Sequence, residues 1–372
     1  MISSSVAGII FANAYDEKVE RLTKNRSIAS VPFGGRYRLI DFCLSNLVNA
    51  GVSNIGVITK EKYRSLMDHI GSGIYWDLDR KNGGIRILPP FNVSNSRIYQ
   101  GYVEALYGAK DFMLRCNAKY IVVCDSRAVA NVDIRDVIKY HKTTNADITV
   151  VCNKGIKISD NDYAMSLDLN KDGSVALTGF PSNIGAEDIR SMNIYVFDRE
   201  KLMELVENSY ENGGRTIGRD IIAANVGNLK VMAYEHKGYV AIMDSPQEYC
   251  RANFDLLDGS VRRDLFNRER PIYTKTRDDM PTRYGTHSSV ENSLIAEGCI
   301  IEGTVKNSVL FRGVNVAKGA TVENSILMQG VTVDEGAVAE YAVADKNSVI
   351  SARMTVKGND EKAFFIEKNQ TL

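Results

Sequence analysis

Residues 307–339 read NSVLFRGVNVAKGATVENSILMQGVTVDEGAVA. Two phrases interleave in this stretch and beyond it. One is Asn-Ser-aliphatic, beginning at Asn292, Asn307, Asn324 and Asn347. The other is charged-Gly-small, at Glu297-Gly298-Cys299, Lys318-Gly319-Ala320 and Glu335-Gly336-Ala337. Aliphatic residues recur about every six positions, which is the hexapeptide signature of a parallel β-helix. Each short strand then buries one aliphatic side chain inside a triangular coil. Gly and Asn occupy the corners because they tolerate left-handed backbone that other residues resist. Stacked coils with flat faces and an open end commonly associate.

The chain before this repeat has a different period. Apolar runs at 6–12, 55–59, 120–124, 148–152 and 193–197 read as strands. Amphipathic stretches at 40–49, 103–115 and 134–141 lie between them. Strands alternating with helices predict βαβ units and a mostly parallel sheet. Such sheets bind ligands beyond the C-terminal ends of their strands, so a phosphate loop belongs after the first strand. The expected organisation is an α/β domain over residues 1–258, a linker over 259–285 carrying Pro271 and Pro281, and the coil domain over 286–372.

Composition narrows the function classes. The 372 residues hold 46 basic and 46 acidic side chains, a formal charge of zero. A dedicated nucleic-acid binder needs a basic surplus, so no nucleic-acid partner is expected. Apolar runs are too short to span a bilayer, so no membrane partner is expected either. The N-terminus lacks the basic region of a signal peptide. The six cysteines form no CxxC pair and read as reduced, buried residues of a cytoplasmic protein. The 29 glycines are ample material for a phosphate loop, and their positions decide whether one exists.

Residues 31–51, VPFGGRYRLIDFCLSNLVNAG, with SNIGVIT at 53–59, resemble the hallmark block of bacterial glucose-1-phosphate adenylyltransferase (ADP-glucose pyrophosphorylase). SMNIYVFD at 191–198, YCRANFDL at 249–256 and SVLFRGVNV at 308–316 are similar to further blocks of that family. The resemblance implies a dinucleotide-binding-like nucleotidyltransferase domain followed by a left-handed β-helix of hexapeptide repeats, assembled as a tetramer. It also implies a reaction. Glucose 1-phosphate attacks the α-phosphorus of ATP in line, which demands positioning and neutralisation of charge. Backbone close to a triphosphate requires glycine, cations balance the phosphates, and two aspartates hold Mg²⁺.

Set against those family motifs, the present residues are the wrong ones. The glycine-rich loop falls on residues 12–18, ANAYDEK, which has no glycine and carries Asp16 and Glu17. The essential lysine falls on Ile28, and the sugar-phosphate lysine on Phe180. The two metal aspartates fall on Arg127 and Ile242, with Asp125 and Asp244 close by as alternatives. The base-contacting phrase keeps only Gly101 of Gly101-Tyr102-Val103. The losses act on one machinery and are not independent. The sequence therefore resembles the non-catalytic, regulatory-type subunits of the family, with no catalytic residues, no bound metal and no cofactor. Mg²⁺ enters only if Asp125 and Asp244 sustain residual activity.

The implied partner is a catalytic adenylyltransferase subunit in a heterotetramer, with a homo-oligomer as the alternative for the chain alone. A phosphorylated small-molecule effector is the second expected partner. Arg26, Arg38 and Lys368 match cations of the family's effector site near the domain junction, where arginine forks suit phosphate. The alternative is that Arg36 and Arg38 are solvated or pair with Asp41 and other acids. Ser191 matches a sugar-pocket position or is a plain strand hydroxyl. His69, His141, His236 and His287 form no metal-spaced cluster, and Trp76 reads as packing. Two further functions stand beside the regulatory one: a weakly active adenylyltransferase and a stand-alone sugar-phosphate-binding protein.

Overall fold

The computed structural model describes residues 5–13, 16–90, 99–156, 165–180 and 188–372. Ala14 and Tyr15 of the expected loop, and Pro181 beside Phe180, lie outside the described residues.

The first apolar run forms the central strand Val6–Phe11, buried along its whole length. It pairs in parallel with Tyr120–Asp125 on one side and Asn54–Ile58 on the other. Gly84–Leu88 adds a further parallel strand at the edge, paired to Asn54–Ile58. Beyond Tyr120–Asp125 the sheet turns mixed. Ile189–Asp198 runs antiparallel to it and also pairs antiparallel with Ile148–Lys154. Val231–Glu235 then pairs in parallel with Ile148–Lys154. The hairpin of Ser166–Leu169 and Val175–Gly179 completes nine strands among the described residues. Ile40, Leu44 and Leu47 of the helix Leu39–Asn49 and the apolar residues of Ile134–Thr144 lie in one core layer, and those of Tyr102–Gly108, Lys110–Arg115 and Arg199–Glu211 in the other.

The segment read as a linker is a packed strap. It carries the helix Gly259–Leu265, whose Leu265 is fully buried. The Asn131 side-chain amide donates to the carbonyls of Leu265 (2.9 Å) and Arg270 (2.8 Å). Asn49 donates likewise to Pro271 at 3.0 Å.

After it, three parallel sheets of five short strands each stack coil on coil. The corner asparagines Asn292, Asn307, Asn324 and Asn347 all have positive φ, between 40° and 58°. The serines beside them form a ladder. Ser308 N–H donates to Ser293 Oγ, Ser325 N–H to Ser308 Oγ and Ala342 N–H to Ser325 Oγ, at 3.0–3.1 Å. Within the Asn-Ser phrase the two residues therefore have separate duties, Asn at the left-handed corner and Ser as the rung between coils. A third apolar core joins the two halves. Phe33, Phe42, Tyr249 and Leu256 pack there against Val309, Phe311, Ile326 and Met328 of one β-helix face.

Candidate functional site

The loop after the central strand is held by its own side chains. Ile28 N–H donates to Asp16 Oδ1 (3.2 Å), and Asn13 Nδ2 donates to Asp16 Oδ2 (2.9 Å). Asn13 Oδ1 accepts from Lys60 N–H at 2.9 Å. Ile28 is fully buried in the junction core, so it presents nothing to the adjoining cavity. That cavity, of about 500 Å³, is lined by Asp16, Glu17, Glu20 and Glu61 as well as Lys60, Lys62 and Arg215. Lys62 Nζ is drawn off to the Thr23 carbonyl at 3.0 Å. Burial pushes the Asp16 carboxyl up to about 6. A triphosphate entering here meets carboxylates where glycine N–H groups would be needed, and like charges repel. The one surviving glycine has a steric reason: a Cβ on Gly101 would lie 2.5 Å from the Arg215 carbonyl oxygen.

At the C-terminal end of Tyr120–Asp125, Asp125 and Arg127 are both sealed from solvent. Arg127 Nε and Nη2 both lie 3.0 Å from Asp125 Oδ2. The same oxygen accepts from Tyr102 Oη at 2.9 Å, and Arg127 N–H donates to Oδ1 at 3.0 Å. Ile242 pairs with Ala128 across a two-residue ladder, and Met243 N–H donates to the Arg127 carbonyl, so Asp244 follows directly. Asp244 thus follows beside the turn that carries Arg127. Asp125, however, has its charge neutralised by a guanidinium, and both of its oxygens already accept from fixed donors. These residues do not fit a divalent cation, which needs open oxygen ligands. Among the described residues no group of three or more His, Cys, Asp or Glu could hold a metal.

The remaining positions are likewise engaged. Phe180 carries the Arg219 guanidinium over its ring at 4.9 Å. Ser191 is buried, and its Oγ accepts from Asn193 N–H (3.1 Å) where the strand bulges between Ser191 and Ile194. It serves the strand.

The domain junction holds a cavity of about 220 Å³. Arg38 lines it, but Arg26 and Lys368 do not. Arg26 is buried and bonds both oxygens of Asp345, at 2.7 and 2.8 Å. Lys368 is exposed on the tail. The other cationic lining residues are Arg36, Lys275, Arg277, Arg312 and Lys346. Sequence reading missed four of these, Lys275, Arg277, Arg312 and Lys346, because only the closed junction brings the strap and the β-helix to Arg38. Arg36 pairs with Glu297 at 3.1 Å. Arg38 does not pair its guanidinium with Asp41. Its Nη1 donates to Ser65 Oγ at 3.0 Å and to the Ser65 carbonyl, while Asp41 takes the Arg38 backbone N–H and His69. Burial lowers the Arg38 guanidinium to about 10.

Three of the four histidines have plain settings. His69 Nε2 lies 2.6 Å from Asp41 Oδ1, beside the Trp76 ring. His141 bonds Thr149 at 2.8 Å, and His287 is exposed. No helix among the described residues is long and apolar enough to cross a membrane.

Comparison with known proteins agrees with this architecture. The nucleotidyl transferase family matches residues 7–241, and the GlmU-like C-terminal hexapeptide family matches residues 279–369. The glycogen biosynthesis protein GlgD of Bacillus subtilis (strain 168) is 35% identical over 368 residues, covering 99% of this chain and 97% of that protein. GlgD of Geobacillus stearothermophilus is 36% identical, covering 86% and 83%. A glucose-1-phosphate adenylyltransferase of Clostridium botulinum (strain Eklund 17B / Type B) is 34% identical, again covering 86% and 83%. The chain belongs to the glucose-1-phosphate adenylyltransferase family of nucleotidyltransferases, with the family's α/β domain and hexapeptide β-helix.

Proposed function

We propose that the chain is a regulatory, catalytically deficient subunit of glucose-1-phosphate adenylyltransferase. It modulates the synthesis of ADP-glucose from ATP and glucose 1-phosphate by a catalytic partner chain, in glycogen biosynthesis. One observation carries the reading: the Arg127 guanidinium sits on Asp125, where the reaction needs a carboxylate open to a metal ion. The acidic loop around Asp16 and the buried Ile28 support it. Names borne by its relatives, glycogen biosynthesis protein and glucose-1-phosphate adenylyltransferase, support the pathway and the partner's chemistry.

Effector binding belongs to the same reading. The junction cavity concentrates cations between the two domains, where a phosphorylated small molecule can alter how they sit in an assembly. A residual adenylyltransferase working through Asp125 and Asp244 is disfavoured by the neutralised Asp125.

The test is mixing. The purified chain should release no pyrophosphate from ATP and glucose 1-phosphate above background. Added to a catalytic chain from the same cell, it should co-elute on a sizing column and raise turnover or effector response. Unchanged kinetics with separate elution would sink the proposal.

A further inference from the structure

The junction cavity carries more positive charge than its surroundings neutralise. Among the described residues six cations line it, and Asp68 is the one acidic lining residue. Arg36 and Arg312 are held by Glu297, and Arg312 also by Asp279. Lys275 Nζ donates to the Asp68 carbonyl at 2.7 Å. Lys346 is placed differently. Its neighbouring carboxylate, Asp345, is bonded through both oxygens to Arg26 and through Oδ1 to the Lys346 backbone N–H (2.6 Å).

The half-buried Lys346 ammonium thus sits among cations from the 31–38 hairpin and the turn before it, the strap and the β-helix. Arg26 approaches from the turn before the 31–38 hairpin, and Arg38 from that hairpin. Asp68 and His69 come from the helix Arg64–Ile70, with His69 already bonded to Asp41. Lys275 and Arg277 come from the strap, and Arg312 and Asp345 from the β-helix. Burial first, then Arg38 and Arg26, push Lys346 down to about 7. Among the described residues no carboxylate pairs with this ammonium: Asp345 is taken by Arg26, and Asp68 is a single acid among six cations. A dianionic oxyanion supplies a partner charge and favours the charged amine.

We propose that the junction pocket takes up its dianionic ligand together with one proton, received by Lys346, so that ligand affinity falls as pH rises above neutrality. The proton comes from solvent and converts the neutral amine to ammonium, and no bond of the anion is made or broken. This rests on the effector reading above and adds its regulation: the chain's response to a phosphate-bearing effector is tuned by pH.

Calorimetry on the full chain tests it, with sulfate as the probe because sulfate stays dianionic across the range. Affinity should be about tenfold weaker at pH 8 than at pH 6, by proton linkage. Titrations at pH 8 in two buffers of different ionisation enthalpy should report uptake of close to one proton. Lys346→Arg, charged at both pH values, should bind with a flat profile. Lys346→Gln should bind weakly at both. Equal wild-type affinities without buffer-dependent heat would overturn the proposal and leave the effector reading standing. A slope that persists in Lys346→Arg would overturn it by assigning the proton to another group such as His69. Absence of sulfate binding at either pH would overturn both.

Discussion

Arg26 and Asp345 are 319 positions apart in sequence and meet in a two-oxygen ion pair, Nη2 lying 2.7 and 2.8 Å from the carboxylate oxygens. The pair ties the α/β domain to the β-helix, with the two side chains only 3% and 12% exposed. Removing one partner of such a pair strands a buried charge, which costs about 3–5 kcal/mol. Arg26→Ala should therefore lower unfolding stability by that order in a denaturant titration. Arg26→Met combined with Asp345→Leu should recover much of the loss, since apolar groups of similar volume often replace buried pairs without penalty. Wild-type stability in Arg26→Ala, with sulfate binding lost, would return Arg26 to the effector site.

Arg127 and Asp125 form a buried ion pair at the end of the strand Tyr120–Asp125. Millimolar Mg²⁺ should accordingly leave the melting temperature of the wild-type chain unchanged, because a ligand stabilises a fold only when it binds the native state. Arg127→Met should destabilise by about 3–5 kcal/mol by leaving the Asp125 carboxylate unpaired. A Mg²⁺-dependent rise in melting temperature that vanishes in Asp125→Asn would instead establish a working metal ligand.

These two pairs mark how far the sequence could be read. The central strands were legible because burial on both faces makes continuous apolar runs, as in Ile121 to Cys124. The expected 103–115 helix is two helices, Tyr102–Gly108 and Lys110–Arg115, broken at Ala109. Gly84–Leu88 escaped notice because a partly exposed edge strand carrying Arg86 lacks that apolar run. The strap at 259–285 reads as a linker because its charge and prolines outweigh the few residues it buries, Leu265, Ile272 and Thr274. At the site, the absence of glycine after the first strand was visible. That Arg127 turns back onto Asp125 was not, since spacing cannot say where a guanidinium points. Lys346 was invisible for a different reason: its surroundings come from elements distant in sequence and exist only when the junction closes.

The Asp16 carboxyl gives a pH-dependent prediction. Its pKa is raised to about 6, with burial as the largest cause. The folded state therefore favours the protonated acid more than the unfolded state does. Below the unfolded value of 3.8 both states hold the proton, and above about 6 the folded state bears the full penalty of a buried anion. Stability from this group is thus lost as pH rises from about 4 to 6. Asp16→Asn, which can still accept from Ile28, should raise the melting temperature more at pH 7.5 than at pH 4.5. An equal shift at both pH values would mean that Asp16 titrates normally.

The β-helix corners allow the most local test. Asn324 holds φ at 49°, and Ser325 beside it bonds both the Glu323 carbonyl (2.7 Å) and the Ala342 N–H (3.0 Å). Left-handed backbone costs an ordinary L-residue roughly 1–2 kcal/mol, and a β-branched side chain is worse placed there than most. Asn324→Val should destabilise by about that amount, whereas Asn324→Gly should cost little, because glycine adopts positive φ freely. Ser325→Ala leaves a buried N–H without its acceptor and should cost about 1–3 kcal/mol. If Asn324→Gly and Asn324→Val were equally damaging, the asparagine would be acting through its side-chain amide, and the corner conformation would not explain why Asn recurs in the repeat.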